Sequence, residues 1–221
     1  MDDDGTPKDP AATVLNSTWL RYDAIETPQL CLDLWEGEGY KERGVQIAIT
    51  ETSANILTEE FGHGFFSLAV LGQLAEMGAT MVSRWSFTSL IRLENINGER
   101  AYNVAADYFF NILFGMTMGT GVLEVSGDDN SDVLVYAHCS SDTQASGGVT
   151  LMVANPTSDT ISLKVNLTTL PRIQYVLTPI EGNVSSPTSV LNGNTEEPLK
   201  LTSDGYLPPL DGAVCEEKSC S

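Results

Sequence analysis

The chain is 221 residues long, 42% apolar and 8% aromatic, enough core-forming material for one large domain or two small ones and too much for a wholly disordered or collagenous protein. Thirty acids against 11 bases leave a net charge of −19, spread over both halves: 17 acids and 7 bases in residues 1–116, 13 and 4 in residues 117–221. That balance excludes broad electrostatic binding to nucleic acid or anionic lipid, both of which need clustered Lys and Arg.

Residues 1–13 are polar and contain proline, and they read as a disordered lead-in. Met1-Asp2-Asp3-Asp4 is acidic where a secretory leader is basic and then apolar. Leu20 to Tyr40 is helical in part, ending at Gly39 or Gly44. Val45 to Thr50 is a short β-branched run, which predicts a buried strand. Thr58 predicts a helix cap, with Glu59 and Glu60 in a first turn that favours anions. Phe61, Phe65, Leu68, Gly72 and Ala75 then fall on one face, and Gly78 stops the helix. The apolar stretch from Phe61 to Ala75 is too short to cross a membrane. Met81 to Phe87 reads as a second strand, Arg92 and Arg100 as solvent-facing loop residues, and Asn103 as the cap of a third helix ending near Gly115. Strand and helix in alternation predict βα units with a parallel sheet, but two or three units cannot close a barrel.

From Gly121 the pattern changes. Val122–Val125, Val133–His138, Val149–Ala154, Ile161–Leu167 and Ile173–Leu177 are short alternating runs divided by turn clusters, which predict an antiparallel sandwich. Asp128-x-Asn130-x-Asp132 imitates a calcium loop, but Val133 stands where glycine is required, so it reads as a hairpin turn. Gly119-Thr120-Gly121 lacks the third glycine of a dinucleotide loop, and no Gly-x-Ser-x-Gly elbow is present. Four cysteines without a CxxC pair and only two histidines argue against a structural metal site; one disulfide fits a secreted chain. Both histidines read as structural. Three tripeptides match the N-glycosylation acceptor pattern, at Asn16, Asn166 and Asn183.

The informative acid is Glu51, placed directly after a buried strand. A carboxylate at the carboxyl end of a barrel strand projects into the active-site mouth, and a retaining glycosidase sets its nucleophile there, opposite a second carboxyl. A solvated loop glutamate is the competing reading. Arg84 and Trp85, late in the second strand, are candidates for an acidic sugar and for stacking on a pyranose ring; barrel packing is their plain alternative.

Val14-Leu15-Asn16-Ser17-Thr18-Trp19-Leu20, Ile49-Thr50-Glu51-Thr52-Ser53-Ala54, Phe61-Gly62-His63-Gly64-Phe65, Leu74-Ala75-Glu76-Met77-Gly78 and Arg84-Trp85-Ser86-Phe87 come in an order that resembles the heparanase family of retaining endo-β-glucuronidases, glycoside hydrolase family 79. The likeness continues through Val135–Cys139, Leu151–Asn155, Val190–Gly193 and Leu207–Leu210. It implies that residues 14–116 are the carboxy-terminal part of a (β/α)8 barrel, with Glu51 ending the seventh strand and Arg84-Trp85 on the eighth, and that residues 117–221 are a β-sandwich. It further implies Glu51 as nucleophile, Arg84 and Trp85 as substrate-binding residues, Cys139 paired with Cys215 or Cys220, and no cofactor or metal. The implied partners are the missing amino-terminal barrel half and a glycan substrate, heparan sulfate or a glucuronide polymer.

This chain also departs from the family. The general acid, a glutamate in an Asn-Glu motif on the fourth barrel strand, would lie before Met1, so the isolated chain is expected to be inactive. The glycine-rich stretch after the nucleophile is reduced to Asn55-Ile56-Leu57, and Trp85 replaces glutamine. A charge of −19 repels a sulfated polyanion, which favours a weakly charged glucuronide glycan. The competing function is a non-catalytic carbohydrate-binding or interaction protein built on a barrel remnant. Secretion, a lysosome or the cell surface is the expected location if a signal precedes the chain.

Overall fold

The computed structural model describes residues 8–52, 57, 59–84, 90–96, 98–126, 132–141, 147–165 and 172–215. The described part of the expected lead-in, residues 8–13, is more ordered than its composition predicts. Pro10–Val14 forms helix α1, capped by the Asp9 carboxylate on the Ala12 amide at 3.0 Å, and Val14 is fully buried. Helix α2, Ser17–Arg21, is capped by the Asn16 side chain. A 3-10 turn at Asp23–Ile25 leads into α3, Glu26–Gly37, so the expected helix between Leu20 and Tyr40 is present in two pieces.

Strands β1 (Ala48–Thr52) and β2 (Met81–Arg84) pair in parallel, with helix α4 (His63–Glu76) as the crossover between them. This is the βαβ unit that the alternation predicts. Helix α4 begins later than Thr58, because the amides of Phe61 and Gly62 donate to the carbonyls of Ser186 (2.7 Å) and Val184 (2.8 Å). Gly78, at φ +92°, ends it as expected. One buried face was also too narrow a reading: 11 of the 14 residues of α4 are buried, so this helix is a core element. Two glycines let its neighbours approach. A Cβ on Gly64 would lie 2.5 Å from the Phe110 ring, and one on Gly72 2.4 Å from the Tyr136 ring.

A hairpin follows where a loop and a helix cap were expected. Strands β3 (Ile91–Ile96) and β4 (Glu99–Val104) pair antiparallel, with Arg92 opposite Asn103 and Asn95 opposite Arg100. Asn103 therefore lies in a strand. Helix α5 starts two residues beyond Val104 and spans Ala106–Thr117. The missed signal was Asn97-Gly98, a two-residue hairpin dipeptide, and Gly98 adopts φ +88°.

Strands β5 (Met118–Leu123), β6 (Leu134–Ser140) and β7 (Val149–Ala154) form a three-stranded antiparallel sheet. Strands β8 (Arg172–Gln174), β9 (Leu177–Pro179), β10 (Ser189–Leu191) and β11 (Ala213–Cys215) make two further pairs, β8 with β11 and β9 with β10. Residues 161–165 do not join a sheet. The chain is thus a mixed α and β protein with small sheets. Among the described residues no barrel closes, because β1 and β2 have only each other as partners. The expected sandwich is present only as separate small sheets.

Helix α5 joins two cores. Its Ala106 and Phe110 enter the larger one, with Phe61, Phe66, Leu74 and Tyr136; its Phe109 and Leu113 enter a smaller one, with Val104, Leu201 and Leu210.

Candidate active site

Residue pairing at the end of β1 is irregular. Ile49 faces Val82 and Thr52 faces Arg84, so β1 advances three residues while β2 advances two. The extra residue is a bulge at Thr50–Glu51. Ile49 is buried in the larger core, and strict alternation would send Glu51 to the same side. With the bulge, Glu51 is exposed instead. Beyond it the strand is pinned again, by the Thr52 hydroxyl donating to the Ser83 carbonyl at 3.0 Å. The result is a carboxylate turned out at the carboxyl end of a parallel strand.

Across from Thr52, Arg84 points inward. Its side chain is only 11% exposed, and its Nε donates to Asp107 at the start of α5. Asp107 is fully buried and accepts as well from His63 Nδ1 at 3.0 Å and from the Ser67 hydroxyl at 3.3 Å, both on α4. Burial pushes the Asp107 carboxyl up. The hydrogen bond and charge of His63, joined by the charge and hydrogen bond of Arg84, outweigh burial and hold it below the ordinary value. Asp107 Oδ1 and His63 Nε2 have no hydrogen-bond partner among the described residues.

Serine, histidine and aspartate meet here without forming a nucleophilic triad. A triad needs the serine on one imidazole nitrogen and the carboxylate on the other, whereas Ser67 and Asp107 both approach Nδ1 of His63. The cluster is an anchor that ties β2 to α4 and α5. Asp107 was not picked out in the sequence; the only signal was an acid in the first turn of an apolar helix, which more often faces solvent.

The other expected residues divide clearly. Trp85, Asn166 and Cys220 lie outside the described residues. His138 is structural as expected, its Nδ1 2.7 Å from the Gly119 carbonyl. The expected Cys139 pairing is corrected: Cys139 is a free, exposed thiol, as is Cys31, while Cys215 is disulfide-bonded. The reason is placement. Cys139 is on β6 beside Gly121 of β5, whereas Cys215 is on β11, which pairs with β8. Asn16 is consumed as the α2 cap, and Asn183 is exposed. Surface depressions of about 470 Å³ beside Tyr22 and Leu30 and about 330 Å³ beside Asn16 and Trp19 are lined by neither Glu51 nor Arg84. Among the described residues no group of His, Cys, Asp and Glu is arranged to hold a metal, and no helix is long and apolar enough to cross a membrane.

No family model matches the chain. Individual proteins do. Baicalin-β-D-glucuronidase of Scutellaria baicalensis is 29% identical over 158 residues, covering 70% of this chain and 28% of that protein. Heparanase of Mus musculus is 30% identical over 183 residues, 76% of this chain and 33% of that protein. Inactive heparanase-2 of Homo sapiens is 30% identical over 182 residues, 73% of this chain and 30% of that protein. The chain belongs to the heparanase-like family. It spans about a third of the length of these curated relatives. Glycosidases and an inactive member both stand among the relatives of this heparanase-like chain, so family membership by itself does not assign an activity.

Proposed function

We propose that this heparanase-like chain is the carboxy-terminal portion of a retaining glycoside hydrolase that cleaves internal β-glucuronide bonds, with Glu51 as nucleophile. The observation that supports it best is the β1 bulge, which takes Glu51 off the core face and presents it at the carboxyl end of a parallel strand. In the complete enzyme Glu51 attacks the anomeric carbon and the leaving oxygen is protonated by a glutamate outside this chain. Water then hydrolyses the glycosyl-enzyme, with that glutamate acting as base. Without that acid the protonation step loses about 10²–10⁴-fold in rate, so residues 1–221 alone should not turn over.

Arg84 contributes by its position, because Asp107 already balances its charge. Trp85 is proposed as the stacking surface for the sugar ring. The net charge of −19 favours a weakly charged glucuronide polymer over a sulfated one. Secretion, a lysosome or the cell surface is the proposed location.

The test is full-length protein from its source, assayed on glucuronide oligosaccharides before and after Glu51→Gln. Loss of turnover with retained oligosaccharide binding supports the reading; unchanged turnover overturns it. A second reading, a non-catalytic carbohydrate-binding protein, is favoured by the inactive heparanase-2 among the relatives. It predicts binding with no turnover in the unmodified full-length protein.

A further inference from the structure

We propose that Asn183 is an N-glycan attachment site, and that of the two acceptors among the described residues it, not Asn16, is the one the fold leaves open. Residues 180–188 form a turn stapled to the protein at its base. Ile180 donates to Thr188, Ser186 to Asn183, and the carbonyls of Val184 and Ser186 receive the amides of Gly62 and Phe61. Val184 packs on the larger core. Alternate residues therefore face opposite ways: Val184, Ser186 and Thr188 are half-buried, while Asn183, Ser185 and Pro187 are exposed. The acceptor amide and the hydroxyl two residues on, which the pattern Asn-x-Ser requires, lie on the same open side. Preceding them, Glu181 at φ +54° and Gly182 at φ +71° turn the segment sharply.

Hydrogen bonding leaves the Asn183 nitrogen open. Asn183 Oδ1 accepts the Ser185 amide at 3.1 Å, which polarises the amide carbonyl, and Nδ2 has no partner among the described residues. Asn16 and Thr18 are exposed too, and what sets them apart is the helix they begin. Asn16 Oδ1 caps the Trp19 amide, Ser17 donates to Asp132 at 2.9 Å, and Thr18 is wound into α2 between the fully buried Val14 and Leu20. Reaching the Asn16 acceptor would require α2 to unwind.

The reaction forms one carbon–nitrogen bond, breaks one carbon–oxygen bond and transfers one proton. Asn183 Nδ2 attacks the anomeric carbon of a lipid-pyrophosphate-linked oligosaccharide, and the carbon–oxygen bond to pyrophosphate breaks. The electron pair leaves with the lipid pyrophosphate, and one Nδ2 proton passes to a base of the transferase. Nothing is oxidised or reduced. The inference needs only passage through a glycosylating compartment and does not depend on whether Glu51 is catalytic.

The chain, expressed behind a secretion leader in a eukaryotic host, is recovered from the total cell extract and medium. It is then deglycosylated with a peptide N-glycosidase in heavy-oxygen water and mapped by peptide mass. The expected result is one heavy oxygen at position 183 and none at position 16. Ser185→Ala removes the label and Ser185→Thr keeps it. A bare Asn183, or a label at Asn16 in its place, overturns the proposal; so does a label at 183 that survives Ser185→Ala.

Discussion

The exposed end of β1 and the buried pocket beneath β2 each hold an acid, and the protein treats the two in opposite ways. Glu51 is turned out to water by a bulge. Asp107, fully buried, is held ionised by three donors from α4 and β2. An exposed carboxylate keeps access and freedom to meet a partner from solvent. One that holds a strand end in place is enclosed and paired through one oxygen, since an unpaired charge in the interior is costly. The difference between the two acids is a difference in what surrounds each, and it can be broken from either side.

The largest effect is expected at the buried end. Asp107→Ala in the full-length protein leaves Arg84 and His63 facing each other without their shared carboxylate, at a cost of about 3–5 kcal/mol, read as a drop in the urea midpoint. Phe110→Ala, which empties the space against Gly64, should cost about 3–5 kcal/mol through its cavity and leave the Asp107 cluster intact. If the two variants combined are strictly additive, the cluster and the α4–α5 packing are independent; coupling of more than about 0.5 kcal/mol shows that they act as one unit.

A smaller effect follows from pH. Because Asp107 titrates below its ordinary value of 3.8 in the folded protein, its contribution is complete above that value and is lost as pH falls through the lower folded value. Acid titration of stability should show this limb in the native protein and a flatter one in Asp107→Asn. At the other extreme, burial and the charge of Glu76 push the Tyr136 hydroxyl above its ordinary value of 10.0. Its contribution is therefore full below pH 10.0 and falls as alkali ionises the unfolded chain first; Tyr136→Phe should remove that alkaline loss. The smallest effect belongs to the exposed end: Glu51→Gln should change stability by no more than about 0.5 kcal/mol, whatever it does to turnover. A large stability loss there would show that Glu51 is a structural residue and not a presented one.

Much of this was legible in the sequence, for local reasons. A β-branched run followed by an acid placed Glu51 at a strand end, and Gly78 marked the end of α4 through its left-handed backbone. The β3–β4 hairpin was legible too, through Asn97-Gly98, but the arginines around it drew a loop reading. The start of α4 was misplaced because its first amides are taken up by residues 184 and 186, more than a hundred positions away. The Cys139 pairing failed for a similar reason: which strands lie beside which is not written in the spacing of the cysteines.

By itself, the sequence determined the βαβ unit, the carboxylate near the end of its first strand, the family likeness and the net acidity of the chain. These depend on periodicity, turn residues and composition, all of which act within a few residues of one another. Tertiary structure alone decided that a bulge turns Glu51 outward, that Arg84 and His63 enclose Asp107, and that α4 is packed against α2, α5 and β6. Register, burial and ion pairing arise between segments distant in the chain, and only packing brings those segments together.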